Sequence, residues 1–403
     1  MSTDTAAPPA ERTRVAVPTV LAIQGVGALL FAFAQVARLF DPDWLTWIEP
    51  LDGFFKSSNL AFSVLLATEG FAIASLLADR RSPREVVLRV VGYVAAFWLL
   101  IALVCLGAVA LQAFDSTDDQ TWDQLRPAIG RALSLTMNVW AANNPLAVPG
   151  DLAMLWYFSI VAQLAATLTV AGLVLRRWPR FLGTVLLLGA VSAAVYRGYA
   201  VDTDGWFAAA LSTPARADAF LAGAAAVFLL RPLPARIGAG LCGGALLTLV
   251  GLVISSAFLD VDEILTYQLP LVAVAMAAYL VGARSALDER ALTIQMAVSR
   301  DTITVARVWR DLVAWSPLVV VTVRRHLFDQ PYAAGTWTAV VALAVVATLS
   351  RGAMDRILGL VAQVPGELDR GVRDVRGGRR RAAGSTEAGT EDRGARREPP
   401  AEG

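Results

Sequence analysis

An all-α integral membrane fold, a bundle of about ten transmembrane helices with both termini in the cytoplasm, follows from three features of this 403-residue chain. Ten apolar stretches succeed one another between Val15 and Arg351. Most have the about 20 apolar residues that a helix needs to cross the hydrocarbon core. The composition is 56 % hydrophobic and 17 % charged, with mean hydropathy +0.55. A water-soluble domain so built would expose large apolar patches and aggregate. Arginines collect in alternate loops, which orients the bundle. The runs are too long for membrane strands and lack two-residue alternation, whereas helices satisfy their own backbone polar groups in lipid.

The expected spans cover 17–39, 59–78, 86–113, 152–175, 181–196, 215–230, 237–259, 264–283, 303–323 and 335–350. The ninth is the least apolar, because Arg307, Arg310 and Asp311 precede its clean run at 312–323. Arg12 and Arg14 precede the first span. Arg80, Arg81 and Arg84 follow the second, and Arg176, Arg177 and Arg180 the fourth. Arg231 and Arg236 lie between the sixth and seventh, and Arg284 and Arg290 follow the eighth. The alternate loops are acidic, with Asp41, Asp43, Glu49 and Asp52, then Asp115, Asp118, Asp119 and Asp123, then Asp260, Asp262 and Glu263. Arg324 and Arg325 break the pattern on the outer side.

The first apolar run exceeds a signal-peptide core and no small-residue cleavage site follows, so it is read as a retained span. Residues 1–14 form a cytoplasmic N-terminal segment, 15–360 the membrane domain and 361–403 a tail. That tail mixes nine arginines with eight acidic residues and has few large apolar side chains. Such a stretch buries too little surface to offset its ordering entropy, so a disordered cytoplasmic tail is expected. Arg379, Arg380 and Arg381 offer a contact for anionic lipid. Residues 114–151 form the longest external loop, with an amphipathic helix around 122–140 whose Trp122 and Trp140 suit the headgroup level.

Cys105 and Cys242 fall inside spans and read as small apolar residues. No metal site is expected. Lys56 is the one lysine among 35 basic residues, which points to a GC-rich genome, and a net charge of +1 gives no sign of a nucleic-acid partner. Gly238-Ala-Gly240-Leu-Cys-Gly243 matches the dinucleotide-binding pattern, but no strand precedes it. Close helix packing through small residues, Gly240 and Gly244 among them, is the expected reading. His326, the single histidine, lies in an outer loop without a triad or metal context.

Four ordered segments resemble the integral-membrane acyltransferase type 3 family. Leu155-Trp156-Tyr157-Phe158-Ser159-Ile160-Val161-Ala162-Gln163 is similar to its Leu-Trp-Phe-Leu-Ser-Val-Glu-Glu-Gln, and Glu69-Gly70-Phe71-Ala72-Ile73-Ala74-Ser75-Leu76-Leu77 to its Ser-Gly-Phe-Leu-Ile-Thr-Ser-Leu-Leu. Thr213-Pro214-Ala215-Arg216-Ala217-Asp218-Ala219-Phe220-Leu221-Ala222-Gly223 resembles Thr-x-x-Arg-Ala-Asp-Ala-Leu-Leu-x-Gly, and Leu349-Ser350-Arg351-Gly352-Ala353-Met354-Asp355-Arg356 resembles Leu-Ser-Tyr-Arg-Leu-Val-Glu-Arg.

The resemblance implies an O-acyltransferase of the bacterial plasma membrane that modifies a cell-envelope glycan or lipid. It implies acyl-coenzyme A as co-substrate and no bound cofactor. Partners would be membrane lipids and an envelope acceptor. The sequence departs from the family where the chemistry lies. Gly27 and Arg38 stand where the family has its first-span arginine and histidine, Val161 and Ala162 replace two glutamates, and Val313-Ala314-Trp315-Ser316-Pro317 lacks a histidine. Transfer to a hydroxyl needs a base that titrates near neutrality, which histidine is and arginine is not.

Two readings stay open. In one, Glu69, a carboxylate near mid-depth in the second span, is the catalytic base. In the other, the chain is a non-catalytic relative that binds a lipid or glycan or scaffolds a partner enzyme. Candidate substrate-binding residues are Trp156, Ser159 and Gln163, which share a helix face at i, i+3, i+7, together with Arg216 and Arg38. A direct Arg38–Glu69 contact is doubtful, because the two differ in depth by about 15 Å at helical rise.

Overall fold

The computed structural model describes residues 9–40, 57–78, 82–114, 122–144, 147–229, 233–285, 300–326 and 335–358. Every regular element among them is a helix. In chain order these are α1 (Pro9–Phe40), α2 (Ser58–Ala78), α3 (Pro83–Phe114), α4 (Trp122–Leu133), α5 (Met137–Asn143) and α6 (Leu155–Val174). Then come α7 (Pro179–Asp204), α8 (Trp206–Leu211), α9 (Thr213–Leu229), α10 (Ala235–Ser255), α11 (Val261–Ser285), α12 (Arg300–His326) and α13 (Gly335–Leu358).

Among the described residues, seven helices are long and apolar enough to cross a membrane: α2, α3, α6, α7, α10, α11 and α13. The other three expected spans coincide with α1, α9 and α12. The described apolar part of α1 is Val20–Val36, and α9 has only 17 residues. In α12, Arg307, Arg310 and Asp311 interrupt the apolar pattern and Arg324, Arg325 and His326 close the helix.

Burial sorts the helices into a centre and a rim. In α2, 78 % of the spanning window is buried, against 28 % in α10. A helix that is apolar all round belongs in the middle of a bundle, and α2 is apolar on every face apart from Asn59, Glu69 and a few hydroxyls. Helix α9 packs against α2, α7 and α11, α1 against α2 and α12, and α10 against α11. Rim helices turn Leu106, Leu188, Val195 and Leu247 outward, as a lipid-facing surface requires.

The central contact between α2 and α9 is made by glycine. A Cβ added to Gly70 would lie 2.0 Å from the Phe220 carbonyl oxygen, and one added to Gly223 would lie 2.0 Å from that of Ala67. The two backbones therefore touch, which only small residues permit. The expected packing role of Gly240 and Gly244 is not found, since both have open space where a Cβ would stand. Instead Gly282 of α11 lies against Gly238 of α10, where an added Cβ would be 2.6 Å from the carbonyl oxygen.

Helix α7 runs eight residues beyond the expected end at 196. Arg197, just past that end, is fully buried and paired with Asp218 at 2.9 Å, and the helix continues to Asp204. It stops at Gly205, whose φ of +84° suits glycine alone. The amphipathic helix expected in the external loop is two helices, α4 and α5, separated at Leu135 with φ 57°. Trp98 of α3 pins the end of α4 by donating to the Leu133 carbonyl at 2.9 Å. Arg325, one of the two arginines that break the expected charge pattern, lies 3.7 Å from Asp151.

Cys105 and Cys242 are buried free thiols. Residues 352–403 form a separate unit, of which only the end of α13 is described. The expected tail at 361–403 lies outside the described residues, as do Asp41, Asp43, Glu49, Asp52, Asp115, Asp118 and Asp119 of the acidic loops.

Candidate functional site

Glu69 is fully buried on α2, and its partner comes from 241 residues away. Arg310 of α12 donates through Nη2 to Oε1 at 3.1 Å, and the Tyr93 hydroxyl of α3 donates to Oε2. Both carboxylate oxygens thus carry a donor. The Arg310 guanidinium lies 4.4 Å from the ring centres of Tyr93 and Phe97 and 5.4 Å from that of Trp309. Aromatic faces attract a desolvated cation, so the pair is held in a box of rings. One residue further on, Asp311 accepts from Ser350 of α13 at 2.5 Å.

An aromatic row leads away from this box. Trp309 is 6.4 Å from Tyr157, Tyr157 stacks on Phe62 at 5.1 Å, and Phe62 meets Trp156 edge-on at 4.8 Å. Arg216 stands 5.9 Å from the Trp156 ring. The Tyr157 hydroxyl, Arg310 Nε and Trp315 Nε1 are buried without a hydrogen-bond partner.

At the far end of the row lies a second polar cluster, ten residues from Glu69 along α2 and so about 15 Å away. Arg216 donates through Nε to the Ala210 carbonyl at 2.8 Å and through Nη2 to Asn59 Oδ1. Arg197 donates through Nε to the Leu265 carbonyl at 2.7 Å and through Nη1 to that of Ala215 at 3.0 Å.

Two prolines explain two of these acceptors. Pro214 sits four residues after Ala210 and has no N–H to return to it. In α11, residues Ile264–Gln268 form a π-turn in which the Leu269 N–H donates to Ile264. Leu265 would then need a donor at position 270, which is Pro270. The freed carbonyls take up the guanidiniums.

Beside this cluster, three side chains close a ring of hydrogen bonds. Asn138 Nδ2 donates to Thr213 Oγ1 at 2.8 Å, Thr213 Oγ1 donates to Gln163 Oε1 at 2.5 Å, and Gln163 Nε2 donates to Asn138 Oδ1 at 3.0 Å. Gln163 also donates to the Leu135 carbonyl at 2.9 Å. The ring ties α5 to α6 and α9.

The candidate residues from the sequence therefore separate into groups. Trp156 and Arg216 meet, and Gln163 joins the neighbouring ring. Ser159 is buried and donates weakly to Leu155 of its own helix at 3.5 Å. Glu69 belongs to the other cluster, and the Arg38 side chain lies outside the described residues. Sequence reasoning does not single out Tyr93, Arg197, Asn59, Asn138 or Arg310 as site residues. Arg197 and Arg310 carried a signal, as charges within otherwise apolar helices. Among the described residues no three His, Cys, Asp or Glu side chains converge as metal ligands. No family model, curated protein or solved structure matches the chain.

Proposed function

We propose that this chain is a non-catalytic, multi-pass binding protein of the bacterial plasma membrane, with the ten-span frame of an integral-membrane O-acyltransferase and its termini in the cytoplasm. It holds an envelope lipid or glycan among its buried arginines and aromatic rings. The supporting observation is the state of Glu69. A general base must reach the substrate hydroxyl, and Glu69 is fully buried with each oxygen already holding a donor, from Arg310 and from Tyr93. Histidine is absent from every expected span. The loss of the family's polar residues alongside a kept apolar frame supports the same reading.

The test is acyl transfer by the purified full chain, with acetyl- and longer acyl-coenzyme A as donors and extracted envelope lipids and glycans as acceptors. No transfer is expected, together with a co-purifying lipid or glycan detected by native mass spectrometry. Transfer that Glu69→Gln abolishes in a folded variant would restore the enzymatic reading, with Glu69 as base.

A further inference from the structure

Arg197, Arg216 and Asp218 are buried together where α7 and α9 meet the break between α8 and α9. Arg197 and Arg216 are 0 % exposed and Asp218 is 1 % exposed. After every contact described above, Arg197 Nη2, Arg216 Nη1 and Asp218 Oδ2 remain buried with no hydrogen-bond partner. The charged groups that bear on Arg216 are Arg197, of like sign, and Asp218, of opposite sign. Arginine keeps its proton under all physiological conditions. Among the described residues, two guanidiniums and one carboxylate therefore leave one positive charge uncompensated and out of water.

The contrast with the other cluster is direct, since Arg310 and Glu69 neutralise each other. A buried charge without a counter-ion is strongly unfavourable, and spare donors in a dry interior call for an acceptor. The residue positions indicate the way in. Asn59, Trp156 and Arg216 each lie in the first turn of their helices, α2, α6 and α9. The cluster is thus at one end of the bundle, the end opposite Arg176, Arg177 and Arg180.

We propose that this cluster is a binding site for the phosphate group of a ligand that also carries a hydroxyl, such as a glycerol phosphate or sugar phosphate. Arg216 Nη1 and Arg197 Nη2 donate to the phosphate oxygens, and Asp218 Oδ2 accepts from the hydroxyl. One negative charge on the phosphate closes the balance. The site deepens the binding reading given above, and it names the ligand class that reading leaves open. The phosphate could come from a lipid headgroup or from a soluble phosphate, and the same chemistry serves both.

The test uses the full chain, delipidated in maltoside detergent, titrated with inorganic phosphate, with glycerol 3-phosphate and with a short-chain phosphatidylglycerol. Binding is read as a concentration-dependent rise in the unfolding temperature and by native mass spectrometry. Arg216→Gln removes the excess charge and weakens binding by about tenfold or more. Asp218→Asn doubles the excess charge and tightens inorganic phosphate, but it weakens the hydroxyl acceptor, so the preference for glycerol 3-phosphate over inorganic phosphate falls. A response to phosphatidylglycerol alone assigns the site to a lipid headgroup, and a response to glycerol 3-phosphate as well admits a soluble source.

If Arg216→Gln does not fold, the wild-type titration and Asp218→Asn still decide. No response of the wild-type chain to any of the three compounds overturns the site, as does unchanged binding in both variants. Neither outcome bears on whether the chain transfers acyl groups, so failure of the site and failure of the non-catalytic reading are told apart.

Discussion

Arg310 of α12 and Glu69 of α2 form an ion pair at 3.1 Å inside the bundle, with the carboxylate fully buried and the guanidinium one-fifth exposed. Truncating one partner of such a pair leaves the other charge stranded, which costs about 3–5 kcal/mol, whereas replacing both with neutral groups is often tolerated. Arg310→Met is therefore expected to lower stability by about 3 kcal/mol, the low end because of its partial exposure. The double variant Glu69→Gln/Arg310→Met should recover most of that loss. Unfolding in a denaturing detergent series measures it. A double variant as weak as Arg310→Met alone would show that the pair is not coupled.

Gly70 and Gly223 are predicted to be intolerant of a methyl group. Alanine at either position brings Cβ within 2.0 Å of a facing carbonyl oxygen, and overpacking of this kind costs about 1–3 kcal/mol or more. Gly240→Ala and Gly244→Ala meet nothing within 4 Å. Each should be neutral, or should stabilise by up to about 0.5–1 kcal/mol through helix propensity. The four thermal midpoints compared in one detergent settle the ranking. Equal losses at all four positions would contradict the α2–α9 contact.

The ring of Asn138, Thr213 and Gln163 should behave as a unit. Thr213→Val and Gln163→Leu each leave buried polar groups unpaired, at about 1–3 kcal/mol. The double variant is expected to cost clearly less than the sum, because residues in one network do not add. Amide exchange over α5 reports the local consequence, as faster exchange at 137–143 in either single variant. Strict additivity would mean that the three side chains do not share a network.

Orientation can be read by cysteine labelling with a membrane-impermeant thiol reagent on whole cells. The arginine bias places position 180 inside and position 260 outside. Arg180→Cys should stay unlabelled until the cells are opened, and Asp260→Cys should label at once. The two native thiols are buried, so background is low. Labelling of Arg180→Cys from outside would reverse the orientation.

Much of the fold is legible in the sequence because hydropathy is a local property. A run such as 59–78 or 86–113 announces a membrane helix without reference to the rest of the chain, and α2 and α3 lie where those runs are. What stopped the local reading were charges. Arg197 lies just past the expected end of a span, and Arg310 and Asp311 blur another, because nothing local shows that Asp218, Glu69 and Ser350 await them. A buried charge is acceptable only with its partner, and the partner is chosen by tertiary packing. Glycine shows the same limit. Gly70, Gly223, Gly240 and Gly244 all sit in helices of similar composition, yet only the first two touch another backbone.

The sequence by itself therefore determined the membrane class and the positions of most helices, whereas Pro214 and, through the π-turn at Ile264–Gln268, Pro270 free two carbonyls within the fold. Tertiary structure decided which groups claim those carbonyls, which charges cancel and which remain. Helix formation depends on residues about four apart, whereas Arg310 meets Glu69 across 241 residues. Only the packing of α1 and α3 against both α2 and α12 fixes that encounter.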